Sequence, residues 1–230
     1  MPIISIDNIC LTYRIRKQLF TKVKREVSVF KGLSFELHEG EKLGIIGKNG
    51  CGKSTLFKLL SAIFNPDSGK IVFSKKLNVQ LLSLGVGYDG NLTGKENAIL
   101  GGMLIGKTRK FMIDVIDEIK EFSGLEKFFD FPVYTYSTGM MARLGFSVAM
   151  YCNPDVLLID EVLGVGDASF AQKSYNAIKN RFSEYQTIVL VSHASEIIEE
   201  LCTRAIWIDN GVVAAEGNPK MVVEQYLASI

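Results

Sequence analysis

Residues 47–55 read Gly-Lys-Asn-Gly-Cys-Gly-Lys-Ser-Thr and satisfy the phosphate-loop pattern G-x-x-x-x-G-K-[ST] over 47–54. The chemistry dictates these residue types. Glycines let backbone N–H groups turn inward around an α/β-phosphate pair, a lysine reaches the β- and γ-phosphates, and a hydroxyl takes one position on Mg²⁺. Ahead of the loop, Lys42-Leu43-Gly44-Ile45-Ile46 predicts a short buried strand; behind it, 54–60 carries apolar residues at helical spacing. A helix starting there aims its unpaired N–H groups and positive dipole end at the phosphates. Strand, loop and helix together restrict the chain to an α/β fold that binds a nucleoside triphosphate. The binding residues would be Gly47, Lys48, Asn49, Gly50, Cys51, Gly52, Lys53, Ser54 and Thr55.

With 230 residues the chain has room for one large α/β domain, or a core with a modest subdomain. Its formal charge of +1 offers no general attraction to nucleic acid. Cys10, Cys51, Cys152 and Cys202 lie far apart, without metal-ligand or redox spacing. They are expected to be reduced thiols of a cytosolic protein. The first seven residues lack the basic start and long apolar core of a secretory signal. No apolar run approaches the roughly 20 residues that span a bilayer, so a membrane role is expected to come through a partner.

Along the chain, Ile4, Ile6 and Ile9, then Leu33-Ser34-Phe35-Glu36-Leu37, alternate in strand fashion. Asn65-Pro66-Asp67-Ser68-Gly69 predicts a turn, with strands at 70–73 and 77–82 beyond it. Thr93-Gly94-Lys95-Glu96 has the capping-box form, which starts a helix after Thr93. Phe111, Val115, Ile116 and Ile119 follow as a stripe at helical spacing, read as core packing. Val156-Leu157-Leu158-Ile159 and Thr187-Ile188-Val189-Leu190-Val191 are continuous apolar runs suited to central parallel strands, with a helix predicted over 169–182 between them. Asn210-Gly211, between strands at 205–209 and 212–215, is a two-residue hairpin signal. Asn218-Pro219 opens a last helix with proline at its first position.

Residues 14–31 stand out by charge: basic side chains recur, and Glu26 is the one acidic residue among them. Two readings fit. The segment is either a solvated insertion whose lysines keep a sheet edge soluble, or a surface facing anionic lipid headgroups or an anionic substrate.

Three further motifs carry chemistry. The strand at 156–159 runs into Asp160 and Glu161. A carboxylate there suits a nucleotide's Mg²⁺ shell, and the next one suits the orientation or deprotonation of an attacking water. Tyr136-Ser137-Thr138-Gly139-Met140 precedes a helix predicted over 141–150, with Ser137 as its N-cap and Gly139 allowing close approach of backbone to a ligand. His193 follows the strand at 187–191 and so lies at a strand end beside the phosphate loop. Taken singly, these motifs read equally as an acidic loop, a helix cap and a structural histidine.

Taken in order, phosphate loop, Ser-x-Gly helix start, Asp-Glu strand end and strand-end histidine, the chain resembles the nucleotide-binding subunits of ATP-binding-cassette transporters over essentially its whole length. The resemblance implies a single α/β domain over 1–230. Within it are a P-loop NTPase core of RecA-like form, an antiparallel β subdomain and an inserted α-helical subdomain at roughly 88–152. It also implies a head-to-tail dimer, with each ATP between the phosphate loop of one copy and the Ser-x-Gly segment of the other. By the same resemblance, Lys53 grips the β- and γ-phosphates, Ser54 ligates Mg²⁺ and Asp160 holds its shell. Glu161 is the catalytic base, and His193 senses and stabilises the γ-phosphate. Ser137, Thr138 and Gly139 reach across the dimer, Asp167 matches the loop that links the two sites, and Tyr13 matches the aromatic residue that stacks on adenine.

The chain departs from the common pattern in two places. Tyr-Ser-Thr-Gly-Met stands where Leu-Ser-Gly-Gly-Gln is usual, and no glutamine occupies the loop into the helical subdomain, where 82–88 reads Leu-Ser-Leu-Gly-Val-Gly-Tyr. That segment, with Asn-Leu-Thr-Gly-Lys-Glu-Asn after it and Asp-Glu-Val-Leu-Gly-Val-Gly-Asp at 160–167, is similar to the subfamily that exports polysaccharides. The resemblance therefore implies the ATPase of an exporter of lipid-linked polysaccharide, O-antigen first, with capsule or teichoic acid as alternatives. Two copies would dock on polytopic membrane permease subunits at the cytoplasmic face of the bacterial inner membrane. No carbohydrate-binding domain follows the cassette in this sequence, so substrate choice is expected to fall to the permease or another protein. Two other classes stay open. A soluble cassette ATPase acting on nucleic acid or ribosomes usually joins two cassettes or carries a coiled-coil insertion. A phosphate-loop kinase has no use for the Ser-x-Gly helix start.

Overall fold

The alternation at the N-terminus builds β1 (Pro2–Arg16), which pairs antiparallel with β2 (Lys24–His38), from Pro2 opposite His38 to Arg16 opposite Lys24. The computed structural model describes residues 1–16, 24–82, 88–160, 168–183, 187–192 and 194–229. Asn8 takes φ 51°, and the pairing register shifts between Ile6 and Ile9. The bulge changes which residues face inward. It explains why Ile4, Ile6 and Ile9, unevenly spaced, are all buried. The described parts of the basic stretch are paired strand, with Arg14 opposite Glu26, and 17–23 lie outside the described residues.

The described residues form two compact units, Met1–Leu77 with Tyr185–Ile230, and Asn78–Glu184. In the first, β3 (Lys42–Ile46) is buried at every position and leads to α1 (Lys53–Leu60). A turn then enters β4 (Ser68–Phe73), which takes the free edge of β1, so the small sheet runs β2-β1-β4.

In the second unit, β5 (Val79–Leu81) pairs in parallel with a strand introduced below, and α2 (Gly94–Leu104) starts at a full capping box. Thr93 Oγ1 accepts from the Glu96 N–H, and the Glu96 carboxylate accepts from the Thr93 N–H at 2.8 Å. The stripe from Phe111 to Ile119 is divided between α3 (Arg109–Asp114) and α4 (Ile116–Ser123). Val115 leaves helical geometry at φ −104° and ψ 8°, capping one helix and opening the next. Met112, Ile116 and Ile119 still reach the helical core with Phe129, Leu144 and Val148. Next come α5 (Thr138–Tyr151), β6 (Val156–Asp160), the partner of β5 with Gln80 opposite Leu157, and α6 (Ala168–Ser183).

The chain returns to the first unit with β7 (Thr187–Val191), α7 (Ser195–Leu201), β8 (Arg204–Asp209), β9 (Val212–Gly217) and α8 (Pro219–Leu227). There β7 and β8 flank β3 in parallel, with Leu190 and Ala205 on either side of Gly44. Asn210 and Gly211, at φ 48° and 86°, turn β8 into antiparallel β9. Positive φ at both central residues is what such a hairpin requires. Arg204 ties this sheet together: Nε donates to Glu41 and Nη1 to Glu216, both at 2.5 Å, and Nη2 donates to the Glu36 carbonyl. The Asn218 side chain caps α8 through the Lys220 N–H, with Pro219 at the first position.

Candidate nucleotide-binding site

The phosphate loop leaves β3 at Gly47 and enters α1 through Gly52. A Cβ at Gly47 would lie 2.5 Å from the Ile208 carbonyl oxygen. One at Gly52 would lie 2.5 Å from Val29 Cγ1, and Gly52 has φ 107°, so a side chain is excluded there on two grounds. Gly52 caps α1 without a side-chain hydrogen bond, and the first turn of the helix carries no acidic residue. An anion at this helix start would meet the positive end of the helix dipole. The Lys53 side chain is buried, and its ammonium donates to the Gly47 carbonyl at 2.7 Å and the Lys48 carbonyl at 3.3 Å. This holds the charge inside the loop's curve. Ser54 follows, exposed at the helix start.

Cys51 lies within the same curve, beside a cavity of about 290 Å³ lined in part by Lys31, Lys48, Asn49, Gly50 and Asp209. Burial pushes its thiol up, against the pull of the Lys53 charge, so the sulfur stays protonated at neutral pH. Tyr13, near the far end of β1, brings its hydroxyl to 3.2 Å from Thr55 Oγ1. One further contact gives no signal in the sequence. The turn after α1 places the Phe64 ring 6.4 Å from that of Tyr13 at an interplanar angle of 74°. No periodicity links residues 13 and 64, so only the folded chain reveals the pair.

The second unit carries its own candidate residues. Helix α5 begins at Thr138, not at Met141 as the sequence suggested. The reason is the cap: Ser137 Oγ accepts from the Met140 N–H at 3.2 Å, which draws Thr138 and Gly139 into the first turn. Tyr136 anchors the segment by donating to the Phe128 carbonyl at 2.6 Å, and burial pushes its hydroxyl up to about 12. Along β6, Val156 to Ile159 are buried and Asp160 emerges half-buried at the strand's C-terminal end. Glu161, Asp167, His193 and the segment 83–87 lie outside the described residues.

The structure thus brings together Tyr13 and the phosphate loop in one unit. In the other it places Ser137, Thr138 and Gly139 at one helix start and Asp160 at a strand end. The ABC transporter family profile matches residues 30–164, more than half of the chain. The chain belongs to the ABC transporter family. The part matched within this ABC chain begins in β2 and takes in the phosphate loop, the start of α5 and Asp160. An O-antigen export system ATP-binding protein, RfbB of Klebsiella pneumoniae, is 36% identical over 240 residues, which cover 98% of this chain and 97% of the relative. The teichoic acids export ATP-binding protein TagH of Enterococcus faecalis is 40% identical over 215 residues, 92% of this chain and 48% of the relative. The chain spans about half the length of that relative, and likewise 46% of the O-antigen export protein RfbB of Myxococcus xanthus. A solved dimer of an ATP-binding cassette, in a post-hydrolysis state with ADP and Pi, matches with a TM-score of 0.75 at 19% identity, over 94% of this chain and 98% of that one. The fold expected from the motif order is therefore the one observed, that of an ABC cassette.

Proposed function

We propose that this chain is the ATP-hydrolysing subunit of a bacterial exporter of lipid-linked polysaccharide, with O-antigen as the polymer. The phosphate loop carries the nucleotide half of this reading. Gly47 and Gly52 hold the loop's turn where no side chain fits, Lys53 holds its charge in the curve, and α1 opens without an acidic residue in its first turn. Ser54 and Asp160 offer the hard oxygen donors that suit Mg²⁺, which when bound would offset charge on the β- and γ-phosphates.

In this reading Glu161 takes the proton of the attacking water, and His193 holds the γ-phosphate. Ser137, Thr138 and Gly139 of one copy reach the ATP bound by the other, and Asp167 links the two sites. Bound ATP bridges two chains through its γ-phosphate; hydrolysis removes the bridge and the dimer reopens, a population shift driven by the nucleotide. The proposed helical subdomain takes in 88–152. Two copies dock on polytopic permease subunits at the cytoplasmic face of the inner membrane, and the polymer is contacted mainly through the permease, with no role for nucleic acid. Among the described residues no helix is long and apolar enough to cross a membrane.

The choice of O-antigen is supported by the likeness to O-antigen export ATP-binding proteins of two organisms, 36% identical in Klebsiella pneumoniae and 41% in Myxococcus xanthus. Cells carrying Glu161→Gln in place of the native chain test the whole reading. Surface O-antigen is expected to disappear while the polymer accumulates inside. Unchanged surface O-antigen rejects the assignment, and loss of teichoic acid or capsule instead reassigns the cargo.

A further inference from the structure

Tyr13 is held at one end, where its hydroxyl meets Thr55 at the start of α1. Its ring is also braced from the side. After α1, Ala62 takes the left-handed conformation at φ 54°, and the Ile63 and Phe64 N–H groups both donate to the Lys58 carbonyl, at 2.9 and 3.2 Å. This closed turn directs Phe64 back over the helix. There the Lys58 ammonium lies 5.5 Å from the centre of the Phe64 ring, and the Tyr13 ring meets Phe64 nearly at a right angle. Phe64 remains 37% exposed, unlike the fully buried phenylalanines of the core. Two perpendicular rings, partly open to water and next to a phosphate loop, form a corner suited to a flat aromatic base.

We propose that Phe64 is a positioning residue for the nucleotide base: it braces Tyr13 and walls one side of the slot that receives the purine. The proposal rests on the nucleotide-binding reading above and on Tyr13 as the stacking residue. Lys58, over the Phe64 ring, holds this wall from behind.

Equilibrium binding of Mg·ATP and of Mg·tripolyphosphate, which has the phosphates without the base, separates the possibilities in the full chain. The variants are Phe64→Ala, Phe64→Tyr and Tyr13→Ala. Phe64→Ala is expected to weaken ATP about 5- to 10-fold, within what base stacking supplies, and to leave tripolyphosphate unchanged. Phe64→Tyr, which keeps the ring, should stay within about twofold of the native chain for ATP. Unchanged tripolyphosphate binding also shows that the variant is folded. ATP binding that is unaffected by Phe64→Ala, or weakened together with tripolyphosphate, overturns the proposal. If Tyr13→Ala weakens ATP selectively while Phe64→Ala does nothing, the Phe64 inference alone falls. If the native chain binds neither ligand, the nucleotide reading falls with it.

Discussion

Lys53 spends its hydrogen bonds on the loop that it serves. Its ammonium donates to the Gly47 and Lys48 carbonyls, so Lys53→Ala removes a phosphate ligand and loosens the curve around it. Removing a charge-assisted contact of this kind costs about 1.5–3 kcal/mol, and ATP affinity should fall at least about tenfold. Calorimetric titration checks this, and an unchanged affinity would remove Lys53 from the site. Ala62 offers an opposite change. At φ 54° it occupies the position after a helix where glycine is usual, and the left-handed conformation costs an alanine roughly 1 kcal/mol. Ala62→Gly is therefore expected to raise stability in urea by about 0.5–1 kcal/mol, relief of strain outweighing the added freedom of the unfolded chain. At this scale the loop residues were legible because their chemistry demands fixed spacing. Phe64 was not, since its role arises from a contact between β1 and a turn about fifty residues away.

Local signals decided the element boundaries wherever side chain and backbone act within four residues. The capping box at Thr93, the Asn210-Gly211 turn and the Asn218-Pro219 start all appear where the sequence put them. Thr93→Ala should destabilise the chain by about 1 kcal/mol. Glu96 adds a pH dependence. The Thr93 N–H and then the Thr93 hydroxyl hold its carboxyl below the ordinary glutamate value. With a depressed folded value, its contribution is present above the ordinary glutamate pKa and is lost as pH falls through the folded value. The stability difference between the native chain and Glu96→Gln, followed by urea denaturation, should thus shrink as pH falls from 6 through the acid range; a difference that grows in acid would contradict this. Boundaries that depend on packing were harder to read. The Asn8 bulge and the break at Val115 each involve one residue leaving regular geometry, which periodicity averages away. The basic stretch from 14 to 31 hid two strand arms, because its charges mask the alternation that marks a strand.

For the molecule as a whole, the order of motifs along the chain carried more information than any one of them. A phosphate loop alone fits many α/β proteins. Followed by the Ser137 helix start and the Asp160 strand end, it matches one family, to which the chain belongs. The antiparallel β2-β1-β4 sheet, the parallel strands around β3 and the helices between β5 and β6 are the architecture that this order implied. The proposed mechanism goes further and needs two copies, because in that reading the Ser-x-Gly segment of one copy completes the ATP site of the other. Light scattering of the purified Glu161→Gln chain, with and without Mg·ATP, and parallel hydrolysis assays on the native chain, test that claim most directly. The expected result is a monomer without nucleotide, a stable dimer with ATP, and native hydrolysis whose rate per chain rises with protein concentration. A Glu161→Gln chain that stays monomeric in saturating ATP, together with full-rate hydrolysis by a native monomer, would contradict it.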